Sequence, residues 1–435
     1  MNNHNETLGE DNQTLGEDSQ TLGEDNQTSG EDNQTLGDTH PLKIFSFRRI
    51  AVPLLIGIVA AFYLIVRDFN QPVYQEVLMG QGQYYWVDTN EDGAITAEEL
   101  FPATPQKEGN INITHQSSVM KNIIRNWTWY STVCLVIAMC FGVLRDVMYM
   151  YRIRLLTDRK LSWKQSFQVI MLWEFGSAVT PSIVGGSALA FFIVAKEGIP
   201  VGRSTAIVMI TALLDELFYI IIAPLAILFV GVAAAFITDF DFSFMGGEFG
   251  VKTVFAIGYG FMCLLTIFIL VAIFIYPQGF RKFLYSMGGW TIFRRWKHKF
   301  QKTGDDIVIS SKEFKGKGII FWLKAYGCTV GSWTARFLVV NFLLLAFSPV
   351  SEQMLVFARQ LVMWIILCIS PTPGSSGIAE FAFPLFLKEF MQIGTASSLS
   401  LLWRIYTYYP YIALGLLVLP FWTKRVFSKK YKHSL

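Results

Sequence analysis

The chain has 435 residues, of which 52% are hydrophobic, 15% aromatic and only 16% charged, with a mean hydropathy of +0.40. Soluble domains carry roughly 25% charged residues, and 37 Phe with 12 Trp exceed what a soluble surface could hide. Composition therefore excludes a string of soluble domains and describes a polytopic membrane protein. The net charge of +3 conceals an asymmetry: ten of the 33 acids and none of the 36 bases lie in residues 1–40, leaving 36 bases against 23 acids beyond them. That excess borders apolar stretches, where topology and anionic lipid explain it better than nucleic acid does. The five cysteines (Cys134, Cys140, Cys263, Cys328, Cys368) lie in apolar runs with no CxxC or Cys/His cluster, so neither a disulfide framework nor a zinc site is expected.

Residues 1–40 repeat in sevens: NETLGED, NQTLGED, SQTLGED, NQTSGED, NQTLGD. Each unit has at most one large apolar residue, too little to offset its ordering entropy, which predicts a disordered acidic tail. The tail is not a signal peptide, because it lacks the basic-then-apolar order. A first transmembrane helix is predicted within 41–67, behind Lys43, Arg48 and Arg49, which place the N-terminus in the cytoplasm. Residues 68–125 then form an acid-rich extracytoplasmic loop. A span over 130–150 returns to Arg152, Arg154, Arg159, Lys160 and Lys164, read as a cytoplasmic stretch.

The segment 165–196 is apolar but interrupted by Thr180-Pro181-Ser182-Ile183-Val184-Gly185-Gly186. Spans follow over 204–237 and 251–276, separated by a loop holding Asp239, Asp241 and Glu248 with no base. The loop 277–317 contains ten Lys or Arg against three acids, and the span 318–347 leads outward. A second broken segment, 353–392, carries Ser370-Pro371-Thr372-Pro373-Gly374-Ser375-Ser376-Gly377 at its centre. The last span, 398–421, closes the membrane domain 126–423 and precedes a basic tail, 424–435, read as cytoplasmic.

Charge decides what hydropathy leaves open. If each broken segment crossed the bilayer once, the acidic loop 238–249 would lie inside and the ten-base loop outside. If each is a re-entrant hairpin, every basic loop lies inside and every acidic one outside. The expected fold class is therefore an all-α polytopic membrane protein with about six full transmembrane helices and two re-entrant helical hairpins, arranged as inverted-topology halves. Backbone exposed at a hairpin turn must pack in protein or line a wet cavity. Thr180, Pro181, Gly185 and Gly186 in one turn, and Pro373, Gly374 and Gly377 in the other, are accordingly candidate ligand-binding positions. The following half-helices would offer their N-terminal dipoles to an anion such as phosphate. The plainer alternative is that these Pro and Gly residues only kink packed helices.

The stretches Ser177-Ala178-Val179-Thr180-Pro181-Ser182-Ile183-Val184-Gly185-Gly186, Glu197-Gly198-Ile199-Pro200 and Pro371-Thr372-Pro373-Gly374-Ser375-Ser376-Gly377-Ile378-Ala379-Glu380 resemble the lysylphosphatidylglycerol synthase transmembrane-region family, of the UPF0104 type. So does Leu402-Trp403-Arg404-Ile405-Tyr406-Thr407-Tyr408-Tyr409, and the likeness covers roughly 120–425. The resemblance implies a flippase-like membrane domain, which in founding members carries aminoacylated phosphatidylglycerol made by a separate soluble domain. With the chain ending soon after its last span, that catalytic domain is not expected, and neither is enzymatic activity. Many relatives carry Glu-Arg ahead of a Leu-Leu-Asp-like run; here Thr211-Ala212-Leu213-Leu214-Asp215 keeps the acid and lacks the arginine.

Ionisable residues inside spans need a partner or a wet surface. Glu174, Asp215, Arg336, Glu380 and Arg404 are the candidates for headgroup binding, arginine as a planar fork for phosphate and carboxylate as its counter-ion or an amine receiver. Internal ion pairs that fix helix register are the competing reading, and Arg145 with Asp146 are expected to pair in that way. Residues 88–99 match the calcium-loop pattern D-x-[DN]-x-[DN]-G-x5-E throughout. Asp88, Asn90, Asp92 and the carbonyl of Ala94 supply oxygens, Thr96 a water-linked position and Glu99 a bidentate carboxylate, so one EF-hand-like loop binding calcium is expected. A chance Asp/Asn/Gly-rich turn is the alternative.

The reading that follows is a protein of the cytoplasmic (inner) membrane, both termini cytoplasmic, moving a phospholipid or lipid-linked headgroup between leaflets. Its expected partners are anionic or zwitterionic membrane lipids, with homo-oligomerisation left open. A secondary transporter of a small polar solute, or a membrane enzyme acting on a lipid phosphate, are the alternatives. The last has no convincing nucleophile–base pair, since His4, His40, His115, His298 and His433 all fall in tails or loops.

Overall fold

A computed structural model describes residues 72–87, 99–105, 107–115, 127–180, 182–237, 241–244, 247–290, 297–368, 372, 374–375, 377–392 and 395–431. The repeat tail, the first predicted span and the calcium-loop positions Asp88, Asn90, Asp92, Ala94 and Thr96 lie outside the described residues, as do Pro181 and Pro373.

The described chain opens with a small antiparallel sheet within the segment 68–125, which the sequence reading left as loop. Its strands β1 (Pro72–Glu76), β2 (Tyr84–Trp86), β3 (Leu100–Pro102) and β4 (Ile111–His115) lie in the order β1-β4-β2-β3. Ile111 is its fully buried residue, and Tyr85 stacks on Phe101 across the β2–β3 pair. Glu99, the expected bidentate calcium ligand, is buried and accepts a hydrogen bond from the Trp86 indole at 3.3 Å.

The rest is helical: α1 (Trp129–Leu156), α2 (Trp163–Val179), α3 (Ser182–Lys196) and α4 (Val201–Val230) come first. A short two-stranded ribbon, β5 (Asp241–Phe244) and β6 (Gly247–Gly250), leads to α5 (Val251–Leu270) and its π-helical turn Val271–Ile275. Then come α6 (Pro277–Gly289), α7 (Lys297–Lys315), α8 (Ile319–Leu345), α9 (Gln353–Leu367), α10 (Ile378–Leu387), α11 (Ala396–Thr407) and α12 (Tyr409–Tyr431). Five segments are long and apolar enough to cross a membrane among the described residues: Trp129–Leu156, Val201–Val230, Val251–Ile275, Ile319–Leu345 and Ser398–Phe427. Their outward Leu, Ile, Val and Phe residues are exposed, as a bilayer solvent requires.

Three boundaries differ from the sequence reading, each for a physical reason. The helix α1 continues through Arg152 to Leu156, so Arg152 belongs to a span and not to a cytoplasmic stretch; its charge is paired inside the bundle. The basic loop 277–317 is mostly two helices, α6 and α7, because Pro277 starts the first and Leu284 and Phe314 bury inward. The last span is broken at Tyr408 and runs on to Tyr431.

Both interrupted segments are hairpins. The helix α2 starts on a capping box, Ser162 with Gln165, and ends at Thr180, next to a proline that cannot continue the ladder. Its partner α3 runs back alongside it. Gln165 Nε2 donates to Glu197 at 3.0 Å, a Cβ on Gly176 would meet Leu189, and one on Gly186 would meet the Ser177 hydroxyl. These nested pairs define an antiparallel turn about position 181. In the second hairpin Ser375 Oγ donates to the Leu367 carbonyl at 3.3 Å and Arg359 Nη1 to the Phe386 carbonyl at 3.2 Å. At 17, 15, 15 and 10 residues, α2, α3, α9 and α10 are each shorter than the roughly 20 residues a crossing needs.

The hairpins open toward opposite ends. At one end Asp158, beyond α1, meets Arg203 of α4 at 2.5 Å and Lys317, before α8, at 2.7 Å. Glu197, past α3, accepts from Trp422 and Arg425 of α12 at 2.7 and 2.8 Å. We call this the basic end. At the other end Trp127, before α1, packs its ring on Phe347, past α8, while Arg359 of α9 donates to the Ala234 carbonyl at 2.9 Å and pairs with Glu389 at 2.8 Å. Both legs of α2–α3 thus start from the basic end and both legs of α9–α10 from the other.

Candidate functional site

The two hairpin tips meet in mid-bundle against the break between α11 and α12. Tyr408, at that break, donates its hydroxyl to the Ala178 carbonyl at 3.1 Å. Gly374, at a φ of +55°, sits between them; a Cβ there would lie 2.5 Å from the Tyr408 ring and 3.0 Å from the Ala178 oxygen. Only glycine fits both the left-handed backbone and the gap. The α10 tip is braced further. Arg404 Nε donates to Glu380 at 2.9 Å, its second nitrogen reaches the same carboxylate at 3.2 Å, and its fork also contacts the carbonyls of Gly374 and Ser375 at 3.3 Å. Glu380 in turn accepts the Gly377 N–H at 2.7 Å, capping its own helix.

Beside the meeting point lies a cavity of about 310 Å³. Of the sequence-derived positions, Glu174, Thr180, Asp215, Arg336, Gly374 and Arg404 line it. Gly185 and Gly186 lie within α3, and Gly377 and Glu380 stand behind the second tip; Gly186, Gly377 and Glu380 do not line the cavity. The wall also contains residues outside the sequence-derived site set: Arg152, read as a cytoplasmic base, Glu216, read as a charge within a span, and Tyr219, Trp333, Trp364 and Tyr411. Arg152 and Glu216 carried a legible signal, an unmatched charge at or within an apolar run. The aromatic residues carried none, because membrane helices are rich in them everywhere.

Most of these charges are spent on one another. Arg152 holds Asp215 at 2.5 Å and 3.1 Å and donates to Thr329 at 2.8 Å, while the Trp333 indole donates to Asp215 at 2.9 Å. Arg145, buried in α1, pairs with Glu174 at 2.5 Å and with Asp146 at 3.2 Å, over the faces of Tyr149 and Tyr411. Tyr411 donates to Asp146 at 3.0 Å. The expected Arg145–Asp146 contact is therefore present, but Glu174 is the closer partner of that arginine. Arg404 is likewise engaged by Glu380, so the dipole end of α10 already holds a carboxylate and Arg404 acts on the tip's shape.

Arg336 is different. Its guanidinium lies 4.3 Å from the Trp364 ring centre and 5.1 Å from that of Trp333, and among the described residues it has no ion pair or hydrogen bond. Cation–π contacts of this kind hold a guanidinium in place without consuming its five donors. Tyr219 lines the same cavity, buried, with a hydroxyl that has no partner among the described residues. Together they place unfilled donors in a chamber lined mostly by apolar side chains, the arrangement that suits an anion carried on an apolar body. One wall residue, Phe261 of the apolar span α5, is 53% exposed, so the chamber wall includes an open apolar face.

Residues 116–415, more than half the chain, match the family described as the lysylphosphatidylglycerol synthase TM region. The chain belongs to that family. A relative from Archaeoglobus fulgidus, described as a UPF0104 membrane protein, is 24% identical over 311 residues, covering 69% of this chain and 89% of its own. No solved structure matches. The lysylphosphatidylglycerol synthase TM region thus takes in both hairpins, the cavity and every charge in its wall. The calcium-loop positions precede it.

At the basic end, outside the membrane-spanning segments, Asp158 takes a left-handed backbone, φ +52°, and joins Arg203 and Lys317. Burial alone would raise its pKa, but hydrogen bonds from Lys317 and Arg203 outweigh that and hold the carboxyl below its ordinary value.

Proposed function

We propose that this protein moves a phospholipid or lipid-linked headgroup between leaflets, its phosphate held by Arg336 with help from the Tyr219 hydroxyl. The observation that carries the reading is the guanidinium of Arg336, without an ion pair or hydrogen bond among the described residues, in a chamber whose wall includes the exposed Phe261. A headgroup could occupy such a chamber while its acyl chains stay in the bilayer, which favours lipid over a small solute. Hairpins opening to opposite ends are suited to alternating exposure of a fixed site. The protein acts without chemistry on its cargo; Arg336, Arg404 and the carboxylates bind and brace.

The proposal extends to placement. By the positive-inside rule the basic end is cytoplasmic, as are both termini, in a cytoplasmic (inner) membrane. The loop 88–99 takes calcium through Asp88, Asn90, Asp92, Ala94, Thr96 and Glu99, stiffening the extracytoplasmic segment; the buried setting of Glu99 beside Trp86 supports a fixed carboxylate there.

The test is transport by purified protein in liposomes carrying fluorescent phospholipid, with an impermeant quencher outside. Accelerated loss of inner-leaflet signal is expected, falling at least tenfold in Arg336→Gln. Uptake of polar solutes with no lipid movement would overturn the reading in favour of a solute transporter, and turnover of the lipid would revive the enzyme.

A further inference from the structure

The helix α6 starts one residue past the π-helical turn that ends the span α5. Its side chains sort into three lengthwise stripes. One faces the protein: Leu284 and Gly288 are buried, Gly288 lies against the Lys297 backbone, and Tyr285 beside them donates to Asp305 of α7 at 2.7 Å. A second, Gln278, Lys282 and Ser286, is polar and exposed. The third is apolar: Phe280, Phe283 and Met287, at spacings of three and four, with Tyr276 just ahead of the helix. Tyr276 and Phe283 are half exposed.

Two observations say what covers that stripe. Phe280 packs on Phe268 at 5.8 Å and on Phe283 at 6.1 Å. Phe268 is exposed on the flank of a membrane span, so the aromatic row continues a lipid-facing surface onto α6 without a gap. The segment 277–317 around it carries ten bases against three acids, which repels a second copy of itself and attracts an anionic leaflet.

We propose that α6 is an interfacial anchor lying in the headgroup layer at the basic end, with Phe280, Phe283 and Met287 in the acyl boundary and Lys282 on anionic headgroups. Helices with one apolar and one basic face bind bilayers in this way, in proportion to apolar area and lipid charge. The surface is separate from the cavity, so the inference stands or falls independently of transport.

The test uses the full chain in phosphatidylcholine vesicles with or without phosphatidylglycerol. Spin labels at Lys282→Cys, Phe283→Cys, Ser286→Cys and Met287→Cys, in a background lacking native cysteines, report collisions with oxygen and with a nickel chelate. Oxygen-to-nickel ratios several-fold higher at 283 and 287 than at 282 and 286 are expected, the contrast growing with phosphatidylglycerol. Equal nickel access at all four positions, or shielding of 283 from both reagents as in a protein contact, would overturn it. The unmodified protein gives a second reading. A phosphatidylglycerol photolabel reactive near its headgroup should mark the peptide spanning Phe280 to Met287, and labelling confined to other peptides would also overturn the proposal.

Discussion

The two hairpins do the same topological work with different fastenings. The tip of α9–α10 is tied by a buried ion pair, Glu380 with Arg404, that also reaches two tip carbonyls and caps α10. At its tip the hairpin α2–α3 shows, among the described residues, a neutral bond from Tyr408 to Ala178. Its stronger fastening is at the open end, where Glu197 is held by Gln165, Trp422 and Arg425. A second tip braced by charge thus stands against a first tip braced by a neutral bond among the described residues, with Arg336 lying between ion pairs.

The largest test of that contrast is Arg404→Ala. It strands the Glu380 carboxylate in a buried place, an error of about 3–5 kcal/mol, so the folded protein should be lost or its thermal midpoint in detergent should fall steeply. Arg404→Lys should rescue little, because a point charge cannot reach Glu380 and both carbonyls together. A wild-type midpoint in Arg404→Ala would refute the brace. Next is Arg336→Gln: the thermal midpoint should hold, while lipid transport drops at least tenfold, about 1.4 kcal/mol of binding or barrier. A large stability loss would instead mark Arg336 as structural.

Smaller still is Tyr408→Phe, which removes one neutral hydrogen bond worth about 1 kcal/mol. If the first tip is the mobile one, this variant should alter transport rate more than stability; an unchanged rate would weaken the contrast. The smallest effect is expected at Asp158→Asn, within about 1 kcal/mol for a partly exposed pair. The sign is set by the depressed folded pKa of Asp158. Its contribution is complete above the unfolded value near about 3.9 and is lost as pH falls through the lower folded value. Thermal midpoints of the variant and the parent should therefore converge at the acid end of a pH series.

Much of this architecture could be read along the chain. Spans are legible because twenty apolar residues announce themselves locally, and the hairpins because the basic segments 152–164 and 277–317 must share a side. Glu174, Asp215 and Arg404 stood out as charges within or bordering apolar runs, and that much follows from solvation alone. Which of them remain free does not. Arg404 and Arg336 are each an arginine in a membrane helix, yet among the described residues the fold brings Glu380 into contact with one and sets the other on tryptophan faces with no carboxylate at ion-pair distance. Likewise Arg152, read as a loop base, finds Asp215 across 63 residues of chain. Pairing depends on distances between segments remote in sequence, so composition and periodicity set where the backbone must dip and where charge must be satisfied. Only the packed bundle decides which charge is left over for a ligand.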